Sequence, residues 1–397
     1  MYRKFRADSI FTGKAFSDPG QVLITDENGR VEGIVSEEEA GDRSGIESFD
    51  GVLSPGFINA HCHLELSWMK GAVPKLTGMV DFLLSVMKTN RPDSTAIQLA
   101  IEKAEEAMIR EGIVAVGDIC NTTLTIKQKQ HGNLYYHNFI EAMGFVEASA
   151  EQRFKQAMDV YAEFAKHYDM PNVSNSIVPH SPYSVSPALF DKITSFPGNL
   201  LMSIHNQENE AENEFFISGT GEFHRLFKKI GVDSSFHKGS GKSSLQDFLP
   251  RLKRNQVVLL VHNVETNKDD IDFIKKQTER DVQCWLCLCP NANHYINGRL
   301  PDLELIDANY DQVVLGTDSL ASNDHLSVME EIKTLHKAAP SIPVTKLLQW
   351  ATYNGARALD IADETGSFEK GKQPGIVLLK GVTKRAVSEK AISQRIL

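Results

Sequence analysis

Two imidazoles, a thiol and a carboxylate fall within five positions in "INAHCHLE", residues 58–65. Alternate residues of a β-strand point to the same side, so His61, His63 and Glu65 project together, and Cys62 and Leu64 face away, for as long as strand geometry persists. Two neutral imidazoles one residue apart can hold a divalent ion, although a lone buried histidine is more often a satisfied core residue. The pair alone leaves both readings open.

Further groups of the same kind close other apolar runs. His180 ends "NVSNSIVPH", His205 ends "NLLMSIH", His262 ends "QVVLLVH" and Asp318 ends "DQVVLGTD". Each taken singly could be a surface or capping residue. If the runs are parallel strands of one barrel, their ends meet at one rim, where such barrels place active sites. The convergence then favours a metal site.

The elements needed to position these residues follow from the periodicity. Together with "GVLSPGFINA", "GIVAVGDIC", "LYYHNFIEA" and "DVQCWLCLC", the runs number eight. Each is followed by a loop and an amphipathic segment, as in "STAIQLAIEKAEEAMIREG", where Gly112 stands at a helix stop. The pattern predicts an α/β fold, a (β/α)₈ TIM-like barrel over residues 55–365. The first residues read as short strands with a hairpin at Asn28-Gly29, and "GIVLLKG" near the end returns to β character. Residues 1–54 and 366–397 are therefore expected to share one small, discontinuous β-sandwich domain.

Composition narrows the partner. A formal charge of -10 with scattered Lys and Arg gives no footprint for nucleic acid or an anionic membrane, so a small-molecule substrate is expected. No apolar run approaches the roughly 20 residues that span a bilayer. The opening residues carry no signal-peptide core, and 5 cysteines fit a reducing compartment, so a cytoplasmic location is expected. Cys284, Cys287 and Cys289 read as packing of strand seven in preference to a zinc site. The fragment "GSGKSS" lacks phosphate-loop spacing, because position 236 is Phe, and reads as a flexible surface loop.

The motifs "SPGFINAHCHLE", "VPHSPYSVSPALF", "SIHNQENEAENEFF", "VLLVHNVE", "CPNAN", "VLGTDSLASND" and "GSFEKGKQPGIVLL" together resemble the amidohydrolase superfamily, in its deaminase and chlorohydrolase branch. The resemblance implies that His61, His63, His205 and Asp318 are ligands of a divalent ion. Glu208, three residues after His205, matches the branch's acid/base, although the acidic run "NQENEAENE" also admits a solvated carboxylate. His262 corresponds to the histidine that orients the attacking water, and Asp318 to the group that passes a proton to the leaving ammonia. Strand four ends "SIVPHSPYS" without the lysine of two-metal members, implying one ion, zinc first, with Fe²⁺ or Mn²⁺ also compatible with N/O ligands.

The implied activity is hydrolytic deamination of an aminated purine-like ring or nucleoside. Hydroxide formed at the metal attacks the amino-bearing carbon, and ammonia leaves. His180 matches a substrate-binding element, and Glu65, Trp68 and Ser319 are further pocket candidates. The absence of arginine between Arg110 and Arg153 disfavours adenosylhomocysteine, and "HLELSWMKG" is most similar to aminodeoxyfutalosine deaminases. Guanine or cytosine deamination and triazine dechlorination use the same residues and remain alternatives. A non-enzymatic scaffold is disfavoured, since no ligand is missing. Members are often homo-oligomers. The tail departs from the branch at 371–376, where the usual acid of "GKxADLVL" is absent.

Overall fold

The computed structural model describes residues 2–42, 45–167 and 172–397. The first strands are β1 (Tyr2–Ile10), β2 (Gln21–Asp26), β3 (Val31–Ser36) and β4 (Ile46–Ser54). They are followed by β5 (Phe57–Cys62), β6 (Ile113–Cys120), β7 (Tyr135–Ala142) and β8 (Val173–Pro179). Then come β9 (Leu201–Asn206), β10 (Val257–His262), β11 (Gln283–Leu288) and β12 (Val313–Leu315), with β13 (Val377–Val382) and β14 (Val387–Arg395) closing the chain.

The segment read as one strand from Gly51 is two. Pro55 and Gly56 break it, sending β4 to the sheet of the chain ends and β5 to the parallel strands. A side chain at Gly56 would lie 2.3 Å from Val114 Cγ1 and 2.7 Å from the Pro374 carbonyl, so only glycine lets the chain turn there. The hairpin expected at Asn28-Gly29 joins β2 to β3, with Gly29 at φ +85° and Asp26 Oδ1 accepting the amides of Asn28 and Arg30.

Strands β5 to β8 form one four-stranded parallel sheet, and β9 to β12 another. Every residue of β5 and β6 is buried, as in parallel strands covered on both faces. The two sheets meet at both margins. At one, the His61 carbonyl accepts the amides of Thr317 (2.9 Å) and Asp318 (3.1 Å); at the other, the His205 amide donates to the His180 carbonyl (3.0 Å). The intervening helices cover the outside. The helix Ser94–Arg110 is capped by Asp93 and buries Ile97, Ile101, Ala104 and Met108 along one stripe.

The chain ends meet as expected, in a six-stranded mixed sheet of order β14-β13-β4-β1-β2-β3. Among the described residues it is one sheet, without the second, facing sheet that a sandwich requires. Its inner face packs Phe5, Leu23, Leu53 and Leu378 against Phe368. A separate apolar cluster, with Met69, Met79, Phe82, Tyr183, Phe215 and Phe223, ties the loops after β5 and β9 together above the strand ends. No helix among the described residues is long and apolar enough to cross a membrane.

The "GSGKSS" segment is less free than expected. Ser243 is buried, caps the helix Ser244–Phe248 and donates to Asp270, and Ser244 donates to Glu212.

Candidate active site

Strand β5 carries His61 with its side chain fully buried, and His63 follows the strand's last residue, Cys62. Alternation lasts just long enough to bring both imidazoles to one side, with their Nε2 atoms 3.2 Å apart. It then ends. A 3-10 turn over Leu64–Met69 begins at once, fixed by Asp118 Oδ1 accepting the Leu64 amide (2.8 Å).

Glu65 is thereby taken off the face it was expected to share with the histidines. Its oxygens accept the amides of Asn121 (2.9 Å) and Thr122 (3.0 Å) and the Thr122 hydroxyl. Cys62 faces the core, as the alternation required.

From the other sheet, His205 Nε2 lies 3.3 Å from His63 Nε2. Asp318 Oδ1 lies 3.2 Å from His63 Nε2 and 3.6 Å from His61 Nε2. Asp318 sits three residues past β12 at φ +57°, and His262 ends β10 at φ +80°. Non-glycine residues pay a strain of order 1–3 kcal/mol there, which persists where the surrounding structure fixes a functional side chain. At Asp318 that structure includes the hydrogen bonds from its own amide and that of Thr317 to the His61 carbonyl and the Ser322 hydroxyl donating to Oδ2.

The protonation pattern suits a cation. His205 Nδ1 donates to the His180 carbonyl (2.7 Å), which leaves Nε2 as a bare lone pair aimed at the cluster. Burial holds His63 well below the usual histidine range and His205 at about 4, so both imidazoles are neutral near pH 7. Burial alone would raise Asp318, but its hydrogen bond to His61 and the surrounding imidazoles hold it well below the usual carboxylate range.

A tetrahedral ion with bonds of 2.0–2.1 Å to nitrogen places its ligand atoms about 3.3 Å apart. The separations from His63 Nε2, 3.2, 3.3 and 3.2 Å, are close to that edge, His61 to Asp318 is longer at 3.6 Å, and ligand atoms of His61, His205, His262 and Asp318 all lie within 4.8 Å of one another. The Nδ1 atoms of His61 and His63 and the Nε2 of His262 are buried without hydrogen-bond partners. The residues therefore fit a divalent ion held by His61, His63, His205 and Asp318.

Beside this cluster, Glu208 Oε1 lies 3.4 Å from His262 Nε2. Asn293 Nδ2 donates to His262 Nδ1 (3.0 Å), placing the ring proton on Nε2, toward Glu208. Burial, with Asp318 and Glu212 adding to it, raises the Glu208 carboxyl well above its ordinary value. In the acidic run, Glu208 and Glu212 are buried while Glu210 and Glu214 are exposed, so Glu208 is not a solvated carboxylate. A cavity of about 460 Å³ opens next to Glu208, and its two arginines, Arg225 and Arg299, are paired with Asp81 and Glu265.

His180 follows β8 and stacks obliquely 4.7 Å from the His205 ring, with the hydroxyls of Ser181 and Ser184 on its Nδ1. Ser319 Oγ meets Ser322 Oγ (3.0 Å), behind Asp318. Trp68 is half-buried between the main core and the apolar cluster above the strand ends. Cys284, Cys287 and Cys289 are buried in the core around β11. Sequence reasoning missed Glu141, Asn121 and Asn293. Glu141 was within reach, because it stands at the end of the run "LYYHNFIEA" as His205 does in its own; Asn121 lies in a loop that carries no periodic signal, and Asn293 lies in the helix Pro290–Asn297, within the quoted "CPNAN".

The family model described as "Amidohydrolase family" matches residues 52–394. The chain belongs to the amidohydrolase family. As a member it is a hydrolase of C–N bonds. Among curated amidohydrolase relatives, an adenosine deaminase of Helicobacter pylori is 26% identical over 354 residues, covering 87% of this chain and 83% of its own. An aminodeoxyfutalosine deaminase of Nitratiruptor sp. is 27% identical, covering 83% and 78%. The crystal structure of Helicobacter pylori aminofutalosine deaminase shares the fold with a TM-score of 0.81 at 22% identity, covering 100% of both chains.

Proposed function

We propose that this amidohydrolase is a single-metal deaminase of an amino-substituted purine-like ring or nucleoside, with adenosine- or aminodeoxyfutalosine-type compounds the leading substrates. The observation that carries this reading is the place of Glu208, 3.4 Å from His262 Nε2 and directly beside the His/Asp donor set. The deaminase names of relatives that span most of the chain support it.

His61, His63, His205 and Asp318 are assigned as ligands, and zinc suits their N₃O set. The ion, when bound, lowers the pKa of water toward neutrality. The residues do the rest. Glu208, its carboxyl raised by burial, delivers a proton to the ring nitrogen next to the attacked carbon. The Nε2–H of His262 orients the attacking water, and Asp318 accepts that water's proton and passes it to the departing ammonia. Water thus adds its oxygen to the ring carbon, the C–N bond breaks, and a carbonyl remains.

The substrate side is formed by His180 and Trp68, with Ser319 steadying Asp318 through Ser322. The two four-stranded sheets are read as halves of one (β/α)₈ barrel over 55–365, and residues 1–54 and 366–397 as the small accompanying β domain. Five free, buried cysteines accord with action in the cytoplasm.

The test is ammonia release by the zinc-loaded protein from adenosine, aminodeoxyfutalosine, guanine and cytosine. Turnover of a purine nucleoside is expected. Stoichiometric zinc without release from any of the four would overturn the reading.

A further inference from the structure

Two carboxylates, Glu65 and Glu141, lie on the β5–β8 side of the site, and the structure gives them different tasks. Both oxygens of Glu65 are occupied by donors from Asn121 and Thr122. The side chain of Asn121 in turn reaches Glu141, donating from Nδ2 to Oε2 (2.9 Å). Glu65 thus holds the loop after β6, and that loop aims Glu141.

The other oxygen of Glu141 has no such claim on it. It lies 3.5 Å from His205 Nδ1, and that nitrogen already gives its proton to the His180 carbonyl at 2.7 Å. His180 is in a matching position. Its Nδ1 is taken by two serine hydroxyls, which leaves Nε2 as the remaining ring nitrogen. Ligand atoms of Glu141, His180 and His205 come within 4.8 Å of one another.

Glu141 stands on β7 and His180 just past β8, with His205 of β9 between them and His262 of β10. The pair is therefore separated by His205 from the place of Glu208 and His262. Among the described residues no lysine or arginine pairs with Glu141, and Lys129 is engaged with Asp118. A carboxyl oxygen and an imidazole nitrogen without a cation suit neutral O–H donors and disfavour an anion.

We propose that Glu141, with His180, binds the vicinal hydroxyls of a nucleoside sugar and so sets specificity, and that Glu65 and Asn121 are positioning residues for it. The proposal rests on the deaminase reading and deepens it.

Calorimetry on the zinc-loaded Glu208→Gln variant, which should bind without turnover, compares adenosine with 2′,3′-dideoxyadenosine, before and after adding Glu141→Gln. The glutamine keeps an oxygen for Asn121, and zinc content with melting temperature verifies the fold. Loss of a buried hydrogen bond predicts roughly 10-fold weaker adenosine binding. Dideoxyadenosine should change by less than about threefold. Equal weakening of both nucleosides, or of neither, overturns the role of Glu141 and leaves the deaminase reading standing. Failure of the parent variant to bind either nucleoside overturns both.

Discussion

Two buried polar clusters are joined through the turn that begins at Leu64, and they are built on opposite plans. Around Lys129 everything is matched. Its ammonium meets Asp118 Oδ2 and Asn138 Oδ1 at 2.5 Å each, and Cys120 Sγ at 3.4 Å, under the rings of Tyr136 and Phe164. Asp118 spends its other oxygen on the Leu64 amide. Around His63 the pattern is reversed, with neutral imidazoles turned nitrogen to nitrogen and several buried polar atoms unpaired. Burying polar groups unmatched is costly, so a fold keeps such an arrangement where a ligand completes it. The saturated cluster is architecture, and the unsaturated one is the proposed ion site, connected to it through the turn that begins at Leu64.

The largest effect expected from breaking this contrast is at Glu208. Glu208→Gln should lower turnover by at least about 100-fold, as loss of a general acid does, while zinc content and melting temperature stay near the parent's. A parallel loss of fold would show that Glu208 is structural after all.

In the saturated cluster the consequences should be exchanged. Lys129→Met strands Asp118 as a buried unpaired charge, with an expected loss of about 3–5 kcal/mol in denaturant unfolding. Adding Asp118→Asn should recover part of that loss, because the amide oxygen can still accept from Leu64. A Lys129→Met protein as stable as the parent would remove the distinction between the two clusters.

The smallest effect concerns Glu331, a matched acid just behind Asp318. It accepts from the Asn291 amide and from Asn323, whose side chain also holds the Thr317 carbonyl. Burial raises its carboxyl from 4.5 to about 8. Between those values the folded chain keeps a proton that the unfolded chain has released, so stability falls as pH rises through that window. Glu331→Gln should flatten this slope, making the variant relatively more stable at pH 8 than at pH 5 by about 1–3 kcal/mol. Melting curves at the two pH values decide it; an unchanged slope counts against a protonated Glu331.

Much of this was legible in the sequence because it depends on local periodicity. The apolar runs ending at His205 and His262 became β9 and β10, and the amphipathic segment before Gly112 became a helix. What the pattern could not show were departures from it. Alternation predicted one face for His61, His63 and Glu65, but the 3-10 turn removed the third. Pro55-Gly56 divided an apolar run between two sheets, and Asp318 reached the site from beyond its strand on a left-handed backbone. Glu141 obeyed the strand-end rule, yet it gained meaning only from Asn121, a loop residue whose place depends on tertiary packing.

The carbonyl of His61 accepts amides from Thr317 and Asp318, near the other end of the barrel-forming sequence. During synthesis, then, the first two histidines emerge long before the aspartate that completes their set. On the proposed ligand set, a nascent chain holds only part of the site, and the set is complete only when the last parallel strand docks against the first. Metal uptake by that proposed set would then report that the chain has finished folding.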